Sequence, residues 1–138
     1  PELFVALGER LGQRVMIKTA EQNGEAIAAA LFLRNDRRLY GRYWGCKGFV
    51  DALHFETCYY QGIDYCLEHG LAQFDPGTQG EHKIARGFQA HPSFSAHLFR
   101  EPRFQAAVAD YLAREAESVS AYMDAVDAHL PFRRDEAS

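Results

Sequence analysis

Residues 26–33, Ala-Ile-Ala-Ala-Ala-Leu-Phe-Leu, form an almost unbroken apolar run between two turn signals. Asn23-Gly24 lies before the run and is a strong two-residue hairpin signal. Asn35-Asp36 lies after it. A strand that is apolar all along reads as one covered on both faces. Its alanines also permit a helix. Residues 15–19, where Val15 and Ile17 alternate with Met16 and Lys18, predict a strand on one side, and residues 39–44 predict one on the other. Joined by tight turns, the three make an antiparallel meander.

The remaining elements follow from spacing. Leu3, Phe4, Leu7 and Leu11 recur at helical intervals over residues 1–13, and Pro1 suits a helix start. Leu53, Tyr60, Ile63 and Leu67 predict a helix over residues 52–69, closed by Gly70. Residues 71–74 read as a short strand, residues 77–87 as a polar loop and residues 94–99 as another strand. Pro102 opens a long helix to about His129. Its expected buried face is Phe104, Val108, Tyr111, Leu112, Val119, Tyr122, Met123, Val126 and Leu130. The expected fold class is α/β (α+β): a mixed sheet, a meander followed by strand-helix-strand, flanked by helices, with a long C-terminal helix. The crossover to the fourth strand is expected to be right-handed. One domain is expected over residues 1–131, with a charged tail at 132–138.

Composition narrows the function. A chain of 138 residues can bury a core without disulfides or metals. A net charge of −4 argues against a general nucleic-acid binder. Cys46, Cys58 and Cys66 are odd in number and lack CxxC spacing, which points to a reducing, cytoplasmic compartment. No apolar run approaches the roughly 18 residues of a membrane span. A start at Pro1 rather than Met suggests a fragment or a processed chain.

Two segments carry unusual chemistry. The first is Leu39-Tyr40-Gly41-Arg42-Tyr43-Trp44-Gly45-Cys46, with His54-Phe55-Glu56-Thr57-Cys58-Tyr59-Tyr60-Gln61 beyond it. Period 2 places Tyr40, Arg42 and Trp44 on one strand face, with Tyr43 on the other. An arginine among aromatics suits a carboxylate or phosphate, or pairs with a buried acid. On the helix, His54, Cys58 and Gln61 share a stripe, while Glu56 and Tyr60 share the next. His54 and Cys58 alone do not make a metal site, and no second pair has metal spacing, so no metal is expected.

The second segment runs from Phe74 to Phe88 and contains Gly77, Gly80 and Gly87, whose backbone can approach a ligand. Glu81 and His82 are candidate general bases. Lys83 and Arg86 are candidates to hold a phosphate or an anionic transition state. A charged loop is more often a solvated one, but that explains poorly why Ile84 and Phe88 interleave with the charges.

These segments resemble the Fem-like family of peptidoglycan biosynthesis/recognition proteins, a branch of the GNAT-like acyltransferases. The resemblance rests on Leu39 to Gly45, His54-Phe55-Glu56 with Cys58-Tyr59-Tyr60-Gln61, Gly80-Glu81-His82-Lys83 and Arg86-Gly87-Phe88. It implies a GNAT-like C-terminal half of a longer protein, inactive alone. It also implies an acyl or aminoacyl transfer to an amine, possibly on a cell-wall precursor, with acyl-CoA or aminoacyl-tRNA as donor. Fem transferases carry a lysine near substrate in a Phe-Lys-x-Gly-Phe stretch, which favours Lys83 as a contact here. Arg42, Tyr43, Trp44, Glu56, Tyr60, Gln61 and Gly80 are the expected substrate-binding residues.

GNAT enzymes cradle the CoA pyrophosphate on a Gln/Arg-x-x-Gly-x-Gly/Ala loop. The equivalent residues 46–52 lack that pattern, and Asp51 would repel phosphate. A tRNA partner would use Arg34, Arg37, Arg38, Arg42 and Lys47 as a basic patch. A homodimer through an exposed sheet edge is a further expectation. The competing function is a non-catalytic ligand-recognition or supporting domain.

Overall fold

The computed structural model describes residues 2–77 and 80–131, and the chain divides into two compact units, residues 1–78 and 79–138. The expected helix-start role of Pro1 and the charged tail lie outside the described residues.

The first unit opens with α1 (Glu2–Leu11), which tightens into a 3-10 turn at Gly12–Arg14. Three antiparallel strands follow: β1 (Val15–Gln22), β2 (Glu25–Arg34) and β3 (Arg38–Cys46). Asn23 and Gly24 have φ of 53° and 81°, the two positive values that a type I′ hairpin turn requires. At the second turn, Asn35 Oδ1 accepts from the backbone N–H groups of Arg37 and Arg38 at 2.9 and 2.8 Å. This is an Asx turn, which fixes the bend with a side chain. α2 (Leu53–Phe55), a π-helical turn (Glu56–Tyr60) and α3 (Gln61–Glu68) then run as one continuous helical segment. Gly70, at φ 64°, ends it. β4 (Gln73–Asp75) pairs parallel to β3, and the sheet order is β1-β2-β3-β4. The fold is mixed α+β with flanking helices.

The register corrects one expectation. Leu31 pairs with Tyr43 and Phe32 with Gly41, so Arg42 is an extra residue bulged out of β3. A bulge reverses the alternation beyond it. Tyr40 lies opposite Leu33 and Trp44 opposite Ala30, so the two rings point to opposite faces rather than sharing one.

The core sits on the Trp44 face. Ala30, Phe32, Leu39, Cys66 and Leu71 are buried there, with Met16, Trp44, Cys58, Tyr65 and Phe74 packed around them. α1 contacts the other face, where Phe4 meets Tyr43 edge-to-face at 5.3 Å.

The three cysteines differ in environment. Cys46 is exposed, Cys58 half-buried and Cys66 buried. Burial pushes the Cys66 thiol pKa up, and the Arg34 charge pulls it partly back. Arg34 is held beside it by a 2.9 Å bond to the Tyr65 hydroxyl. A raised folded-state pKa favours the folded state below the ordinary thiol range, and that contribution is lost as pH rises through the folded value. Iodoacetamide at neutral pH should therefore modify Cys46 first and Cys66 last. Above roughly pH 9, wild type should lose stability faster than Cys66→Ala. Equal labelling of Cys66 and Cys46 in the native protein would contradict this.

The second unit has a 3-10 turn at Glu81–Arg86, where a loop was expected, and α4 (Pro102–Ala128). Residues 94–99 are not a strand. Among the described residues they join no ladder, and Phe94 and Leu98 are each 90% exposed. Alternating side chains do not make a strand unless its N–H and C=O groups find a partner. α4 begins as its sequence requires: Pro102 occupies the first turn, and the Glu101 carboxylate accepts from the Arg103 N–H at 3.1 Å. Phe99, two residues before the cap, packs edge-to-face on Phe104 at 4.7 Å and holds the chain where it enters the helix. The expected buried face of α4 is mostly not buried. Phe104, Tyr111, Leu112, Val119 and Tyr122 are about half exposed, and Val126 is its buried residue. Periodicity marks an amphipathic helix, but burial needs a covering element as well.

Candidate functional site

Lys18, Ala30 and Trp44 form one row across β1, β2 and β3 on the core face of the sheet. The small Ala30 in the middle, 1% exposed, leaves room for a close neighbour. The π turn packs against β1 and β2. His54, at one end, meets Trp44 edge-on at 5.3 Å and Tyr59 at 5.4 Å. Phe55 stacks on Tyr59 at 6.1 Å, and Tyr59 is buried. Gln61, at the other end, accepts from Lys18 Nζ at 3.3 Å and donates from Nε2 to Glu56 Oε1 at 2.9 Å.

The π turn is the local cause of that last contact. In an α-helix, residues five apart are rotated by about 140° and do not meet. A π turn closes i to i+5, which brings Gln61 over Glu56. Such turns recur at functional sites. It also replaces the expected His54-Cys58-Gln61 stripe: Cys58 packs on the core and His54 engages the rings.

The structure thus brings Trp44, Glu56 and Gln61 together on one helix-covered face, with Lys18 and His54. Tyr60 projects from the same turn and is 45% exposed. Tyr43 lies on the opposite face of the sheet, and Arg42 is exposed at the bulge. Arg37 and Arg38 lie at one end of β3 and Lys47 beyond the other, about 30 Å away at 3.3 Å per residue. Arg34 is engaged with Tyr65, Arg38 Nε donates to Gln73 Oε1, and Lys47 lies 3.7 Å from Glu25. These cations do not form one compact patch. Neither the Lys18–Gln61 contact nor the π turn was legible in the sequence, because an inserted residue leaves the apolar stripe almost unchanged.

The Glu81–Arg86 turn belongs to the second unit. Gly80 has φ 105°, and a Cβ there would lie 2.3 Å from His82 Cε1, so only glycine fits. Gly87, at φ 84°, closes the turn, with its N–H on Ile84 O at 2.9 Å and the Phe88 N–H on Lys83 O at 3.2 Å. Ile84 and Phe88 are half-buried, which accounts for the apolar residues among the charges. At three residues per turn, Lys83 and Arg86 share an edge. Lys83 is 8% exposed, and among the described residues the buried polar side chains are Lys83 and Thr57. An ammonium is costly to bury, so this placement needs compensating groups. Arg86 is half-buried and donates from Nη1 to His82 O at 2.7 Å, while Glu81 and His82 are exposed.

The first unit thus carries an aromatic and polar helix face, and the second a glycine-bounded cationic turn. The family model for FemAB-like proteins, described as peptidoglycan biosynthesis/recognition, matches residues 1–134, and the chain belongs to that family. No curated protein matches the chain. Among the described residues, no helix is long and apolar enough to cross a membrane.

Proposed function

We propose that the chain supplies part of an N-acyltransferase site, at which an acyl or aminoacyl group passes to an amine of a cell-wall precursor. The observation that carries this reading is the buried Lys83, on the same edge of a tight turn as Arg86. In the reaction the amine nitrogen attacks the donor's carbonyl carbon, and the bond from that carbon to the donor's oxygen or sulfur breaks. The attacking amine loses a proton, and the leaving group takes one up. Negative charge builds on the carbonyl oxygen, where Lys83 and Arg86 would act as donors. Glu81 and His82 are the candidate proton acceptors in the same turn.

The family's description supports a peptidoglycan-related substrate. The three residues of α2 run straight into the π turn, and Asp51 precedes them. This is a poor pyrophosphate cradle, which favours aminoacyl-tRNA over acyl-CoA as donor. A second reading, ligand recognition without catalysis, draws on the exposure of Glu81 and His82, which leaves neither shielded from water.

Thermal-shift measurements with acetyl-CoA, CoA, aminoacyl-tRNA and peptidoglycan precursors separate these readings. A ligand at about one hundred times its Kd stabilises the native state by about 2.7 kcal/mol. Stabilisation by one donor, lost in Lys83→Ala/Arg86→Ala, is expected. Stabilisation by precursors alone, with no donor effect and no turnover, would favour recognition.

A further inference from the structure

We propose that His82 is the proton acceptor for the attacking amine, and that Gly80 is the positioning residue that seats its imidazole. This rests on the acyltransferase reading above and chooses between the two acceptors named there. All of the residues involved lie in one turn of the second unit.

The His82 ring fills the space where a side chain at position 80 would stand. A Cβ at Gly80 would lie 2.3 Å from Cε1 and 2.9 Å from each ring nitrogen. The ring therefore leans on the Gly80 backbone by its Cε1 side, with Nδ1 and Nε2 set equally to either side. The backbone beneath it is tied as well. Arg86 Nη1 donates to His82 O at 2.7 Å, and Gly80 O accepts from the Lys83 N–H at 3.2 Å. An exposed side chain ordinarily spreads over several staggered rotamers. A ring seated in this way has given up part of that freedom before substrate arrives, and a base that acts by position depends on it.

Glu81 has a different place. It opens the turn, where a carboxylate favours the turn itself. At three residues per turn, His82 stands on the edge next to the one shared by Lys83 and Arg86. A base and the donors to the carbonyl oxygen address different atoms, and adjacent edges let one turn present both. As the amine nitrogen bonds to the donor's carbonyl carbon, its proton passes to the unprotonated ring nitrogen of a neutral His82. The imidazolium then returns that proton to the oxygen or sulfur that leaves, which regenerates the imidazole.

The test joins a structural readout to a kinetic one on the intact protein. A nuclear Overhauser effect between His82 Hε1 and the Gly80 Hα protons should report the seat without any substrate. Transfer is measured with aminoacyl-tRNA or acetyl-CoA as donor and Nα-acetyl-lysinamide as the amine. His82→Gln should lower kcat by about a hundredfold with little change in the KM of the amine. It should also abolish the acidic limb of the kcat–pH profile. Glu81→Gln should have the smaller effect and keep that limb. In Gly80→Ala the exposed ring turns away from the new Cβ. The Overhauser effect should vanish and kcat should fall by about tenfold to a hundredfold. That fall should disappear in a His82→Gln background, because Gly80 acts through the imidazole. A glycine needed only for its positive φ would cost the same in both backgrounds.

Unchanged transfer in His82→Gln, or an equal Gly80→Ala effect in the two backgrounds, overturns the proposal and leaves the acyltransferase reading standing. Absence of the Overhauser effect in wild type overturns the seat. A seated ring in a protein that transfers from neither donor removes the acyltransferase reading, and the base role with it.

Discussion

Gly62→Leu is expected to lower the unfolding free energy by about 3 kcal/mol. Gly62 is buried in α3, and a Cβ there would lie 2.5 and 2.6 Å from Cζ and Cε1 of Phe74. The ring has little room to retreat, because it packs at 6.1 Å on Phe32, itself 1% exposed in the core. Phe74 also pairs with Leu39 in the three-residue ladder between β3 and β4. Pushing it away would loosen β4 and with it the Asp75 carboxylate, which accepts from the Gly77 N–H at 2.9 Å. Gly62→Ala is a useful contrast. Alanine gains about 1 kcal/mol of helix propensity over glycine, which offsets part of the clash. Urea denaturation should show a lower midpoint at unchanged slope for the leucine variant and a small shift for alanine. A leucine variant as stable as wild type would mean that Phe74 does not pack against this helix.

The parts of the fold legible in the sequence are those fixed by local chemistry. Asn23-Gly24 specified its hairpin because few residue pairs tolerate two positive φ values. Pro102 marked the start of α4, and Gly70 marked the end of α3. The misreadings share a physical cause: each depended on a partner that spacing does not reveal. Residues 94–99 alternate but have no ladder among the described residues, and the apolar stripe of α4 has no full cover. The bulge at Arg42 was hidden because one extra residue reverses the strand's faces without changing its composition. Gly41, whose Cβ would lie 3.5 Å from Pro76 backbone atoms, was the available hint of a neighbouring backbone. At the candidate sites, glycines and interleaved apolar residues located the Glu81–Arg86 turn. The burial of Lys83 was not visible, since Glu-His-Lys-Ile-Ala-Arg has the composition of a solvated loop. Lys18 occupies an ordinary strand position, and its contact with Gln61 joins two elements that sequence spacing does not relate.

On the acyltransferase reading proposed above, Lys83→Met in the intact protein should reduce acyl transfer by about a hundredfold to a thousandfold, the usual effect of deleting one preorganised oxyanion donor. The same change removes an ammonium whose burial needs compensating groups, so stability is the second readout. Lys83 is 8% exposed, and methionine has a similar length without an ammonium to desolvate. That combination separates function from structure. If Lys83 served only to neutralise a neighbouring group, removing its charge would leave that group buried and uncompensated, and stability would fall by about 3–5 kcal/mol. Lys83→Arg sharpens the comparison. It keeps the charge but adds bulk in a turn already tightened by Gly80 and Gly87, so it should recover little activity if the ammonium is positioned to meet a single oxygen. Loss of activity with stability retained in Lys83→Met places the lysine at the reacting group. Loss of both makes it a structural counter-charge, and the search for the oxyanion donor would then move to Arg86, which shares its edge of the turn.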